Sequence, residues 1–257
     1  MIKILTEKKV IKMKTEYKKE YTVNYTEVDQ NLKLGLVDAI TFSQNMVTEY
    51  FESFKSDNII LKNQNNAIWV VSKTKVHFNK YPTWRDVIYG RSYTTKVKPI
   101  RVEIETTFKN KEGEILFSTK QESCAIDLET RKIRKVDTVN YPSDMETEEN
   151  VIQEPYLKLN ESFSEDDLVY EQKVFSADID YSRHTNNAVY VKYMANTLSC
   201  EFLDKNKITD FEIHYINESK EGQILRIYKK EKADSLEFII KEGEREIIRA
   251  SLNYEKE

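Results

Sequence analysis

The spacing of hydrophobic positions along this chain changes in an order that occurs twice. In EYTVNYTEV, Tyr21, Val23 and Tyr25 alternate with polar residues, which predicts a strand over residues 20–28. In GLVDAITFSQNMVTEYFESF the period lengthens. Leu36, Ile40, Val47, Phe51 and Phe54 recur at helical spacing, and Phe42, Met46 and Tyr50 widen the stripe. A helix apolar over so much of its girth is largely buried. Alternation returns in AIWVVSKTKVHFNKYP, stopped at Pro82, and again in VIYGRSYTTKV. VEIETTFKNKEGEILFSTKQESCAIDL then reads as a long hairpin turning at KNKEG.

Residues 137–165 break the pattern. They hold two of the four prolines and many acidic residues, so they are expected to cross the surface as a linker. Beyond them the first order returns. A strand, VYEQKVFSA, leads into a helix expected from Asn187 to about Leu203. Val189, Tyr193, Thr197 and Cys200 line one side of that helix, with Tyr190, Met194 and Leu198 alongside. Strands follow at DFEIHYI, QILRIYKK and SLEFIIKEGEREIIRASLNYE. The last turns at Lys241–Glu244, KEGE, as the first half turns at Lys111–Glu114 with the same four residues. The matching place of that turn in two like series implies an internal duplication. The natural way to bury each helix is to wrap its antiparallel sheet around it. The expected fold is therefore α+β, a tandem (double) hot-dog. Its parts are an N-terminal tail at 1–17, a first domain at 18–140, a linker at 141–165 and a second domain at 166–257.

Composition narrows the function classes. The 257 residues are 39% hydrophobic and 33% charged, with only five glycines, which suits a globular chain with a heavily charged surface. A net charge of −4 gives no support to nucleic-acid binding. No apolar run approaches the roughly 18 residues that span a bilayer. The basic start, MIKILTEKKVIKMKTEYKKE, lacks the sustained apolar centre of a secretory signal, and Met13 is an alternative initiator. Cys124 and Cys200 both sit in apolar segments and are expected to be buried, reduced thiols. These features predict a cytoplasmic protein.

The chemistry concentrates in one place. Asp178, Asp180, Ser182, Arg183, His184, Asn186 and Asn187 crowd the approach to the second helix. His77, His184 and His214 stand apart from one another and from the cysteines, so no metal ligand set is expected. Neither a G-x-S-x-G elbow nor a phosphate-binding glycine loop is present, and no cofactor is expected. A shift of 151 positions sets Asp29 opposite Asp180 and Lys33 opposite His184. One copy thus holds the polar cluster and the other lacks its histidine. A helix start needed only for capping would serve both copies equally, so the asymmetry favours function. A helix N-terminus, with unpaired N–H groups and a positive dipole end, suits a polarised carbonyl. One of Asn186 and Asn187 is expected to be the N-cap. His184, four residues after Asp180, can form an oriented acid–imidazole pair if the loop folds back. His77 and His214 lie in strand patterns and read as structural.

These residues resemble the acyl-acyl-carrier-protein thioesterases of plastids and bacteria. The family's D-x-N-x-H-x-N-N signature is similar to Asp180–Asn187, DYSRHTNN, and its Y-x-x-E-C to Tyr215–Ser219, YINES. Trp69, Pro82 and Trp84 match a W-V…P-x-W segment, and Asp127, Thr130 and Arg131 match M-D-x-x-T-R. The resemblance covers about residues 18–257. It implies hydrolysis of a fatty acyl thioester on acyl carrier protein, ending chain elongation. The first half would shape the acyl pocket and the second supply the catalytic groups. Asp180, His184 and Glu218 match the family's acid, histidine and glutamate. Ser182 replaces an asparagine and Ser219 a cysteine, which turns the expected chemistry toward carboxylate-assisted attack by water. Asn187, or a backbone N–H near it, would hold the carbonyl. Phe42, Met46 and Tyr50 are candidates for the acyl pocket. Arg131, Lys132, Arg134, Lys135, Arg183 and Lys192 are candidates for docking the acidic carrier protein. The enzyme is expected as a monomer or homodimer. Competing readings are an acyl-CoA thioesterase of the same fold, a 3-hydroxyacyl-thioester dehydratase and a non-catalytic acyl-binding protein.

Overall fold

A computed structural model describes residues 16–256. Met13 and all but the end of the expected tail lie outside the described residues. The first half runs β1 (Glu16–Thr22), α1 (Leu36–Ser53), α2 (Asn58–Asn65), β2 (Ala67–Phe78), β3 (Val87–Lys98), β4 (Arg101–Lys109) and β5 (Ile115–Asp127). The second runs β6 (Leu168–Lys173), α3 (Asn187–Ala195), α4 (Cys200–Lys205), β7 (Asn206–Tyr215), β8 (Ile224–Glu231), β9 (Ser235–Glu242) and β10 (Arg245–Lys256). All ten strands join one sheet in the order β1-β3-β4-β5-β2-β7-β10-β9-β8-β6. Read from either edge, the halves follow the same path and meet where β2 pairs antiparallel with β7, from Lys73↔His214 to His77↔Asp210.

The duplication extends to single hydrogen bonds. Asn24 N donates to the Glu27 carboxylate, as Phe175 N does to Asp178. Asp29 N donates to Lys33 O and Asp180 N to His184 O. Gly35 N donates to Glu27 O and Asn186 N to Asp178 O. Leu32 and Arg183 both take a left-handed conformation, at φ 58° and 68°. Asp38, Ser182 and other residues at these helix starts vary between the copies, yet the backbone does not.

The structure corrects several expectations. β1 begins at Glu16 and stops at Thr22, because residues 25–27 wind into a 3₁₀ turn held by Glu27. The second helix is two helices. Asn196 closes α3, Thr197 Oγ1 turns back to Met194 O, and Ser199 Oγ caps α4 at Phe202 N. Helix α2 was hidden by its polar composition and is capped by Asp57, whose Oδ1 accepts from Ile59 N and Ile60 N. Cys124 is buried as expected, but Cys200, at the first turn of α4, is exposed.

The two helices differ in length, and that decides where open space lies. α1 has 18 residues and α3 nine. The first turns of both share one core with Phe78, Phe108, Phe211, Ile213 and Leu252. The extra turns of α1 carry Val47, Tyr50 and Phe51 into a second core with Leu61, Trp69, Ile104 and Tyr141. Residues 146–157 cross the outer face of the sheet. There Glu105 accepts from Val151 N and Ile152 N, Lys120 donates to Ile152 O and Glu212 accepts from Leu157 N.

In the first turn of α1, burial and then the neighbouring Glu27 carboxylate push the Asp38 carboxyl up to about 6. A folded-state value above the unfolded one contributes stability that is complete at low pH and lost as pH rises through about 6. Asp38→Asn should therefore stabilise the protein near neutral pH, by on the order of 1 kcal/mol after allowing for partial exposure, and by nothing below about pH 4. Urea unfolding of both proteins across that range checks the sign.

Candidate active site

The approach to α3 folds into a tight hairpin. Asp180 N donates to His184 O at 2.9 Å, Arg183 N to Asp180 O at 3.0 Å, and Asp180 Oδ1 accepts from Ser182 N at 2.8 Å. The left-handed Arg183 completes the reversal. This brings the side chains of 180, 182 and 184 to one side. Asp180 does not touch the imidazole. Ser182 stands between them, its Oγ donating to Asp180 Oδ1 at 2.5 Å and lying 3.3 Å from His184 Nδ1. Having given its proton to Asp180, the serine oxygen accepts from Nδ1. Asn186 is the N-cap, its Oδ1 accepting from Ala188 N at 2.9 Å, which leaves Asn187 to line the cleft.

The other ring nitrogen meets the loop after β7. His184 Nε2 lies 3.1 Å from Glu218 Oε2. The same oxygen accepts from Arg131 Nη2 at 2.6 Å. Arg131 was expected at a carrier-docking surface; it instead reaches across from the turn after β5 to hold the carboxylate. Its φ of 58° lets that turn close, with Arg131 N donating to Asp127 O. Arg134 is likewise engaged, with Asn65 O and Asp127. Lys132, Lys135, Arg183 and Lys192 are exposed.

Ser219 stands where the thioesterase resemblance expects a cysteine, and its surroundings are structural. It is fully buried. Its Oγ is 2.7 Å from Thr185 Oγ1 and 2.8 Å from the Tyr190 hydroxyl, which also accepts from Ser219 N. Thr185 N donates to Ser219 O. The knot ties the Glu218 loop to the start of α3 and so sets the His184–Glu218 distance.

These groups open onto a cleft of about 920 Å³ that straddles the two halves. Asp180, Ser182, His184 and Asn187 form one wall. Gln44, Val47, Thr48 and Phe51, one face of α1, form another. Phe42, Met46 and Tyr50, the expected acyl-pocket residues, face away from it. Phe42 stacks on Tyr21, Met46 lies against Gly90, and the Tyr50 hydroxyl is 2.9 Å from Thr94 Oγ1. All three are packed into the sheet because they belong to the widest part of the apolar stripe. The duplicated counterpart of this site has Lys33 in place of His184, with its ammonium 6.0 Å from the Tyr81 ring. That cavity measures about 150 Å³, and beside it Gln30 and Asn31 bond to Asp204 at α4.

Residues 14–140 match the model of the acyl-ACP thioesterase N-terminal domain, and residues 161–256 that of its C-terminal domain. The chain belongs to the acyl-ACP thioesterase family. Its relatives include oleoyl-acyl carrier protein thioesterase 1 of Arabidopsis thaliana, 22% identical over 81% of this chain and 62% of that protein's own length. A dodecanoyl-[acyl-carrier-protein] hydrolase of Cinnamomum camphora is 23% identical over 63% of this chain and 44% of its own length. Among solved structures, an acyl-ACP thioesterase of Bacteroides thetaiotaomicron superposes with a TM-score of 0.84 at 19% identity, covering 94% of this chain and 98% of that one. The 12:0-ACP thioesterase of Umbellularia californica gives 0.85 at 17%, covering 95% and 98%. The double hot-dog is thus the fold of this family member.

Because Ser219 is a structural knot, Ser219→Ala should keep turnover within about tenfold while costing about 1–2 kcal/mol of stability. An acyl group trapped covalently on Ser219 would instead make the serine a nucleophile.

Proposed function

We propose that this protein hydrolyses fatty acyl-acyl-carrier-protein thioesters to free fatty acid and carrier protein, ending chain elongation in fatty acid biosynthesis. The observation that carries the reading is the Asp180–Ser182–His184–Glu218 series, which opens onto the larger cleft and is missing from the smaller sister site. In the proposed reaction the acyl carbonyl lies at the N-terminus of α3. There Asn186 takes the N–H groups of Ala188 and Val189, which leaves that of Asn187 at the positive end of the dipole. Asn187 supplies a further polar contact. His184 and Arg131 both engage Oε2 of Glu218, so Oε1 is the oxygen that takes a proton from water. The water oxygen bonds to the carbonyl carbon, the C–S bond breaks, and the thiolate leaves with a proton passed through His184. Positioned proton transfer contributes about 10²–10⁴-fold and one oxyanion donor about 10²–10³-fold. Those factors suit a thioester, whose leaving group is weakly basic.

Carrier docking is proposed at Lys132, Lys135, Arg183 and Lys192, which lie on loops and the α3 surface near the mouth. Free thiols, one of them exposed, fit the reducing cytoplasm as the compartment.

His184→Ala and Glu218→Ala should each lower kcat on acyl-ACP by at least about 10²-fold with the fold intact by circular dichroism. Near wild-type release of thiol by either variant would sink the assignment. Added salt should raise KM for acyl-ACP far more than for acyl-CoA, through screening of the basic mouth. Equal salt responses would remove the docking surface from the scheme.

A further inference from the structure

The far wall of the cleft is polar in a way that unsubstituted fatty chains do not require. Gln121 and Ser123 of β5 both line it, on the face of the sheet turned toward α1, and are only 6% and 1% exposed. Gln121 Nε2 donates to Ser123 Oγ at 2.9 Å. The amide carbonyl of Gln121 is therefore left to accept, and the Ser123 hydroxyl keeps its own proton to give. Behind them the wall closes. Two residues along β5, Thr119 Oγ1 meets Ser43 Oγ of α1 at 2.5 Å, and the neighbouring strands carry the buried pairs Ser92–Thr106 and Tyr50–Thr94. Val47, Phe51 and Val71 line the same cleft as His184 and this pair. A terminal methyl there would strip water from an amide and a hydroxyl without returning a hydrogen bond, which is costly.

We infer that the acyl group this protein selects carries a hydroxyl at its far end, received by Gln121 and Ser123. A hydroxyl is the group that answers both, since it gives a proton to the amide carbonyl and accepts one from the serine. Sheet register sets the depth. Gln121 pairs with Thr74 on β2, and Thr74 pairs with Ile213 on β7. Two strand spacings, at least about 10 Å, therefore separate Gln121 from the strand that leads to Glu218, the reach of roughly eight carbons. Sites built to bond a substrate hydroxyl discriminate strongly against the analogue lacking it, because their own polar groups are left unpaired.

The inference rests on the thioesterase reading, and the two can fail separately. The test measures kcat/KM for hexanoyl, octanoyl and decanoyl acyl-carrier-protein thioesters, each with and without a terminal hydroxyl. The expected result is a preference of at least about tenfold for the hydroxylated chain at one of these lengths. Gln121→Met, close in volume, should abolish or reverse that preference, by lowering kcat/KM on the hydroxylated chain and raising it on the plain one, while the melting temperature holds. Ser123→Ala should weaken it, which guards against misfolding of the first variant. Plain chains cleaved as well as hydroxylated ones at all three lengths, or a preference indifferent to Gln121→Met, would overturn the inference and leave the hydrolase intact. Cleavage of no thioester would overturn both.

Discussion

The pairing of β2 with β7 is the constraint on which the rest of this structure depends. It fuses two five-stranded sheets into one, and it sets α1 of the first half beside the start of α3 in the second. The cleft exists only across that seam: the His184–Glu218 pair comes from one side and a face of α1 from the other. The outer face of the seam is stitched by buried charges, where Lys75 lies 3.2 Å from Glu212 and His214 bonds Glu212 at 2.7 Å. Residues 146–157 complete that network through their backbone groups, so the connection between the halves is part of the sheet's packing rather than a loose tether. Charges so placed require their partners, since a single unpaired member would be strongly destabilising.

The two copies have diverged by local substitutions on a conserved backbone. The same turn, with the same left-handed residue and the same carboxylate cap, leads into α1 and into α3. In one it presents histidine to glutamate; in the other it presents Lys33 to Tyr81. Divergence of size followed the same line. α1 kept the turns that α3 lacks, and with them a second aromatic core that holds one side of the cleft open. At the sister site, Leu203 of α4 and Leu198 before it line a much smaller space. One active site from a duplicated pair is thus a matter of which helix is long and which loop is polar.

Ser182 and Ser219, the two departures from the family's pattern, take opposite roles. Ser182 bridges Asp180 and His184, so a shorter side chain still connects the two. Ser219 instead lies in a buried hydroxyl cluster with Thr185 and Tyr190. It positions Glu218 by fixing the loop that bears it. Arg131 adds a third constraint from the other half of the chain, so the carboxylate is held by both domains at once.

What was legible in the sequence was what neighbours along the chain decide. Side-chain period gave the strands, the long first helix, the hairpins and the repeated order. The polar cluster at Asp180–Asn187 was readable because its bonds join residues two to four positions apart. Hydroxyl capping, also local, was overlooked at Thr197 and Ser199 because the apolar stripe ran on across them. Tertiary structure alone decided the rest. A helix stripe shows that α1 is buried but not which rows face the sheet, so Phe42, Met46 and Tyr50 were read as pocket while Gln44, Val47, Thr48 and Phe51 line it. Arg131 reads as one basic residue among several until the fold carries it 87 positions along the chain to Glu218. Contacts of that span depend on the closure of a whole sheet, and no local pattern encodes their partner.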